Sequence, residues 1–276
     1  MKAIIYTKYG SPEVLQLKEI EKPAPKDDEV LVEVHAASVN AYDWHMLRAK
    51  PFLVRISGSG FLKPKNPRFG VDLAGRVEAV GRNVKQFKPG DEVYGMKRGG
   101  FAEYVCSVEG YLALKPANMS FEQAAAVPMA GTTALQGLRD KGQIQPGQKV
   151  LVYGASGGVG TFAVQIAKAF GAEVTAVTST RNLDKARSIG ADRVIDYTKE
   201  DFTRSGQRYD LILAANGNLS IFDYARVSSQ WNFCHGRRFH GSALPSHPPG
   251  TTVIQDRGQE NGHLFGRNKP KGLGLY

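Results

Sequence analysis

The segment GASGGVG at 154–160 constrains the fold of this chain more than any other feature. It follows directly on the apolar run VLVY (150–153) and leads straight into a helix-forming stretch. Glycines so placed let the backbone turn tightly and approach a pyrophosphate, whose charge the free N–H groups and dipole of a helix amino end receive. The spacing puts Gly157, Gly158 and Gly160 at such phosphates, with Ala155 and Val159 completing the loop. The bland reading is a glycine turn that joins a strand to a helix and binds nothing. Strand, glycine loop and helix in immediate succession are the context a nucleotide fingerprint requires, and that favours a ligand.

The alternation continues downstream. LVY at 151–153, EVTAV at 173–177, RVIDY at 193–197 and YDLILAA at 209–215 read as strands. Helices are expected over 161–170, with Phe162, Ile166 and Phe170 on one face, and over 182–189. Strands alternating with helices imply right-handed crossovers and a doubly wound parallel sheet, so the fold class is α/β. The second strand ends TSTRN (178–182), with no carboxylate to hold a ribose 2′-hydroxyl. Ser179 offers a hydrogen bond and Arg181 a charge-assisted one to a 2′-phosphate, so NADP is the expected cofactor. Asp184 is the one acid close enough to argue for NAD.

Upstream the period is different. Runs at 2–6, 30–35, 75–80, 92–94 and 102–105 are short, β-branched and separated by turn signals such as KPGDE (88–92). They imply a small β-barrel-like domain over about residues 1–118. Residues 50–69, rich in glycine and proline, read as a loop at the barrel's mouth. Ser120 with Gln123 forms a capping-box pattern that opens a helix through the alanines at 124–126. A second domain is expected over 119–225, and 226–276 as a tail outside both.

Composition excludes several classes. Among 276 residues, 42% apolar and 22% charged, no run approaches the ~20 apolar residues of a membrane span. The amino terminus lacks a secretory apolar stretch, so a cytoplasmic protein is expected. Cys106 and Cys234 alone make neither a disulfide framework nor a zinc spacing. The net charge of +10 raises nucleic-acid binding, but half of it lies in 226–276, where seven Lys/Arg face two Asp/Glu without any periodic pattern. A nucleic-acid surface would place that excess on one element within a recognisable motif. No nucleic-acid and no membrane partner is expected, only a small-molecule substrate.

GQKVLVYGASGGVGTFAVQIAK (147–168) resembles the quinone oxidoreductase, or zeta-crystallin-like, branch of the medium-chain dehydrogenase/reductase family. MKAIIYTKYGSPEVLQL, VLVEVHAASVNAYD, PRFGVDLAGRVEAVG, FKPGDEVYG, GGFAEYV and AAAVPMAGTTAL resemble it in order and spacing, so the likeness covers about 1–225. It implies a GroES-like catalytic domain before a Rossmann domain, with the active site in the cleft between them. The implied activity is NADPH-dependent hydride transfer to a quinone, an enone or another small carbonyl compound. Zinc-using relatives carry a Cys ligand where this chain has Asn40, and Gly-His-Glu where it has Gly70, Val71 and Asp72. No metal is therefore expected, since zinc needs three or four converging ligands. Without one, hydrogen bonds must stabilise the developing oxyanion. Tyr42 or Asn40 is the expected donor to the carbonyl, with Asp43 as its orienting partner, all three placed in a loop. Thr133 resembles a residue beside the nicotinamide and Tyr197 one at the adenosine phosphate. His35 and His45 read as structural, and Lys168 and Arg187 as ordinary helix charges.

The tail fits nothing in this scheme. It holds four of the chain's six histidines and no amphipathic period, a composition that predicts disorder. Back-translated and read one nucleotide later, WNFCHGRRFH (231–240) permits GIFVMVGGSM, and NGHLFGRNKPKG (261–272) permits MGIFLAGTNQKD. Both are apolar strands followed by turns, as expected if the tail is a frameshifted reading of a longer enzyme. The Rossmann sheet would then be incomplete at its C-terminal side, its fourth strand an unprotected edge. On that view the written chain is a poorly soluble, inactive remnant that does not form the family's homodimer. An NAD(P)-dependent alcohol dehydrogenase is the remaining alternative.

Overall fold

The computed structural model describes residues 1–52, 54–216, 219–229, 233–234 and 252–255. They divide into two compact units, Met1–Met129 and a second that begins at Ala130.

The first unit is built on antiparallel strands. β1 (Lys2–Ile5) pairs with β2 (Gln16–Glu19) in a small ribbon. β3 (Glu29–Ser38), β4 (Asp72–Val80), β5 (Glu92–Met96), β6 (Tyr104–Val108) and β7 (Leu112–Leu114) form a five-stranded sheet in the order β6-β3-β4-β5-β7. Alternation along these strands turns Val30, Val32, Leu73, Val77, Val93 and Val105 into one core. Between β3 and β4 lies α1 (Ala41–Arg48), so Tyr42 and Asp43 stand on a helix that Asn40 caps, not in the expected loop. The YDWHML run gives no clean helical stripe. Its helix is set at the first turn, where Asp43 reaches back to the Asn40 N–H at 2.8 Å.

α2 (Phe121–Ala125) opens on the expected box. Ser120 Oγ accepts the Gln123 N–H at 3.2 Å and Gln123 Oε1 accepts the Ser120 N–H at 2.9 Å. Its small residues Ala124 and Ala125 pack against Ala74 and Tyr94 of the first unit. This packing keeps α2 with the first compact unit, which runs to Met129.

The second unit starts within α3 (Pro128–Leu135), then alternates β8 (Lys149–Tyr153), α4 (Gly158–Ala169), β9 (Glu173–Thr178), α5 (Leu183–Ser188), β10 (Arg193–Asp196), β11 (Leu211–Ala214) and α6 (Ile221–Val227). β10, β9, β8 and β11 pair in parallel in that order. Val150, Val152, Val174, Ala176, Leu211 and Leu213 face one apolar layer, and Leu151, Tyr153, Val177, Ile195, Ile212 and Ala214 the other. Both faces are covered, which is the doubly wound arrangement. Against the sheet, α4 turns Gly160, Ala163, Val164 and Ala167 inward; Phe162, Ile166 and Phe170, the expected face, sit at its margin.

Two corrections fall at the C-terminal side. The regular structure does not stop at 225, because α6 runs to Val227 and the Ser229 N–H reaches Tyr209 O at 3.0 Å. The fourth strand is not a bare edge either. β12 (Phe233–Cys234) and β13 (Thr252–Gln255) extend the sheet, with β13 antiparallel to β11 in the register Leu211 to Gln255 and Ala214 to Thr252. The β-branched TVIQ run was the signal for β13, and antiparallel pairing needs no helical crossover. The remaining residues of the frameshift reading lie outside the described ones. No helix among the described residues is long and apolar enough to cross a membrane.

Candidate functional site

The first candidate site lies in the second unit, where β8 passes into α4. Gly154 takes φ +78, which turns the chain, and Gly157 stands at the cap position ahead of the helix. Gly157 and Gly158 are exposed. A Cβ on Gly157 would come no nearer than 3.5 Å to Gly154 O, and one on Gly158 would meet Ala130 Cβ at 3.6 Å, so neither glycine is required by packing. Gly160 is different. It is buried, and a Cβ there would fall 2.2 Å from Gly154 O. Its lack of a side chain serves the close approach of α4 to the turn that follows β8. Ala155 is fully buried beneath the loop and Val159 is half-buried. With twelve residues, α4 presents free amide groups and its dipole to an anion at the loop.

At the end of β9, Ser179 accepts from Asn182 Nδ2 at 3.2 Å, and Thr180 Oγ1 donates to Asp196 Oδ2 at 2.5 Å. Bonds from Thr180 and Thr198 hold the Asp196 carboxyl below the usual carboxylate range. Arg181 is exposed and pairs with no acid among the described residues. Asp184 is bound to Arg187 at 2.8 Å. Tyr197, exposed beside Asp196, lies 6.3 Å from the Tyr153 ring. Thr133 is buried in α3. This unit can therefore hold a dinucleotide's pyrophosphate at 157–159 and a 2′-phosphate at Arg181.

The second candidate site lies in the first unit and centres on Asp72, to which the sequence assigns no role beyond standing where zinc-using relatives have Glu. Asp72, at the start of β4, is fully buried. It accepts the Met129 N–H at 3.1 Å, Asn40 Nδ2 at 3.0 Å and Ser38 Oγ at 3.3 Å. Burial outweighs these bonds and pushes its carboxyl up to about 7. Burial likewise pushes Asp43 up to about 6, against the Asn40 N–H it accepts. Asn40 Nδ2 points at Asp72 and reaches Ser38 Oγ at 3.4 Å, so it is placed to hold the acid, whereas a carbonyl donor would need those hydrogens free. An acid inside the apolar run FGVDLAG was the visible signal for Asp72.

Tyr42, also buried, accepts Arg98 Nη2 at 3.2 Å, which leaves its O–H free in direction to donate elsewhere. Arg98 reaches Met46 Sδ at 3.7 Å and forms no ion pair among the described residues. Nothing local in sequence foretold Arg98, since its contact spans 56 positions. His35 stacks on Phe121 and lies 3.6 Å from Glu33, and His45 Nδ1 meets Lys50 O at 2.7 Å. The described residues contain no group of three His, Cys, Asp or Glu that could hold a metal.

Both units resemble known proteins. Residues 26–117 match the alcohol dehydrogenase GroES-like domain and 158–225 the zinc-binding dehydrogenase family. The chain is 41% identical to 2-methylene-furan-3-one reductase of Solanum lycopersicum, over 79% of this chain and 57% of that protein. It is 37% identical to the chloroplast envelope quinone oxidoreductase homolog of Arabidopsis thaliana, over 81% of this chain and 71% of that one. Escherichia coli quinone oxidoreductase complexed with NADPH superposes with a TM-score of 0.73 at 29% identity, covering 83% of this chain and 71% of that structure. The chain thus spans less than two thirds of the first of these relatives. By the second of them, and by the order of its two domains, it belongs to the medium-chain dehydrogenase/reductase family, with quinone oxidoreductases among its relatives.

Proposed function

We propose that this chain is an NADPH-dependent oxidoreductase that transfers hydride to a quinone, an enone or another small carbonyl compound. The observation that carries the reading is the end of β9. The position that would bind a ribose hydroxyl through a carboxylate ends in Ser179, Thr180 and Arg181, and of the nearby acids Asp184 pairs with Arg187 while Asp196 accepts from Thr180 and Thr198. The names of the relatives point the same way, one a reductase of a methylene-furanone and one a quinone oxidoreductase homolog.

The glycine loop fits the cofactor, because exposed Gly157 and Gly158 leave room above the α4 amides. In this reading 157–159 hold the pyrophosphate, Ser179 and Arg181 the 2′-phosphate, Tyr197 the adenosine and Thr133 the nicotinamide side. The bound nicotinamide supplies the hydride. Tyr42 donates its O–H to the carbonyl oxygen and stabilises the charge that develops there, while the Arg98 guanidinium fixes the phenol oxygen. Asp72 acts at one remove by orienting Asn40 at the head of α1.

No zinc enters the proposal, because Asn40 and Val71 stand where relatives place ligands. Stoichiometric zinc in protein purified without added metal would overturn that part. The whole reading is tested by mixing the chain with NADPH and either an enone or a quinone, and following both binding and oxidation. Turnover supports it. Binding without turnover would leave a nucleotide-binding remnant.

A further inference from the structure

A charged side chain taken partly out of water ordinarily has an opposite charge beside it. Arg98 has none. It is half-buried in the connection between β5 and β6, yet forms no ion pair among the described residues. Its Nη2 meets the Tyr42 hydroxyl oxygen at 3.2 Å and Met46 Sδ at 3.7 Å, while Nη1 and Nε hydrogen-bond to no described residue. The side chain is firmly rooted. On either side of it the Lys97 N–H reaches Val71 O and the Gly99 N–H reaches Gly70 O, both at 2.8 Å. Gly99 takes φ +102, a conformation that favours glycine.

The groups around Arg98 supply no counter-charge. Besides Tyr42, its charge bears on the phenols of Tyr6 and Tyr9. Burial, against the pull of Arg98, pushes the Tyr6 hydroxyl up to about 12, so it stays neutral at ordinary pH. Tyr9 donates its hydroxyl to Gly60 O at 2.7 Å. The buried acids of the unit are turned to other donors: Asp43 accepts the Asn40 N–H at 2.8 Å and Asp72 the Asn40 side-chain amide at 3.0 Å. A lone guanidinium among neutral hydroxyls is a place for an anion from outside.

Geometry narrows the class of anion. The two hydrogens of Nη2 belong to different edges of the guanidinium fork, and the Tyr42 oxygen occupies one edge. The other edge faces no acceptor stronger than the Met46 sulfur, which is a weak one. Parallel N–H groups along one edge match the two oxygens of a carboxylate. We propose that the free edge of Arg98 binds a carboxylate of the substrate, and that the chain prefers short oxo-enoic acids to neutral enones of the same length. This rests on the oxidoreductase reading above, in which Tyr42 meets the carbonyl. Because one nitrogen serves both contacts, the carboxylate and carbonyl of such a substrate lie only a few bonds apart.

The test titrates the full 276-residue chain, without NADPH, with levulinate, a short saturated keto acid, and with its methyl ester, by calorimetry. Levulinate should bind roughly tenfold to a hundredfold more tightly, the worth of a charge-assisted hydrogen bond. Arg98→Met should abolish the preference, and Arg98→Lys, which keeps the charge without the fork, should retain a smaller one. Lys97→Met removes a neighbouring charge of the same sign and should retain the preference in full. Equal affinities in the parent, a preference that survives Arg98→Met, or one that Lys97→Met also abolishes, overturns the inference. So does inorganic phosphate that displaces levulinate with equal strength, because the site would then read charge alone. Turnover of a neutral enone without any preference for levulinate leaves the oxidoreductase standing without the anion site. The preference without turnover of any enone keeps the anion site and removes the reductase.

Discussion

The Asp72 carboxylate receives the Asn40 side-chain amide at 3.0 Å while both of its oxygens face the Met129 N–H, so β4, the head of α1 and the first turn of α3 meet on one buried acid. Asp72 has no basic partner among the described residues, and its three neighbouring donors are all neutral. The site stores a proton near neutrality instead of an ion pair.

That gives a sign to the pH dependence of stability. The folded carboxyl titrates near 7 and an unfolded aspartate near ~3.9, so the folded state binds the extra proton between them. Its contribution is complete below about pH 4 and is lost as pH rises through about 7. Asp43, raised to about 6, acts in the same direction. Urea midpoints should fall across this window, and Asp72→Asn should make the fall shallower. An identical slope in the variant would show that Asp72 is ionised throughout.

Tyr42→Phe should lower kcat by roughly a hundredfold with little change in KM, the size of losing one oxyanion donor. Arg98→Met should lower it by about tenfold, and the double variant should be no slower than Tyr42→Phe alone, because Arg98 acts through the phenol. Multiplicative losses in steady-state kinetics would mean that the two residues work independently.

Arg181→Ala should weaken NADPH about tenfold, the worth of one charge-assisted hydrogen bond, and leave NADH unchanged. Dissociation constants for both nucleotides, measured by fluorescence enhancement, decide it. Equal affinities in the parent would refute the assignment.

Alanine at two glycines should separate folding from binding. Gly160→Ala forces a methyl to 2.2 Å from Gly154 O and should cost about 1–3 kcal/mol in thermal or urea unfolding. Gly158→Ala places its methyl at an ordinary 3.6 Å from Ala130 and should leave unfolding alone while weakening the dinucleotide. Matching behaviour of the two variants would be the contrary result.

The Rossmann half was legible because its information is local. β8, β9, β10 and β11 are short apolar runs between glycine or polar breaks, and each was placed within about two residues. β2, the exposed QLKE, carries no pattern and exists through its pairing with β1. α1 was missed because a buried Asp43 at its third position looks like a loop residue until the Asn40 N–H it caps is seen. Of the candidate site, Tyr42 and Asn40 came from a stretch adjacent in sequence. Asp72 and Arg98 are 32 and 56 positions from the partners that give them meaning, and such distances are settled only by the folded sheet.

The unequal glycines of the α4 loop also bear on history. Drift in a chain released from catalysis would still be forced to keep Gly160, because the fold itself rejects a methyl there. No such pressure guards Gly157, which occupies a cap position where Ser, Asn or Asp would steady the helix equally well or better. Gly158, open to solvent, would be equally free to wander. A lineage that had long ceased to bind nucleotide should have spent these two first. This chain carries glycine at both.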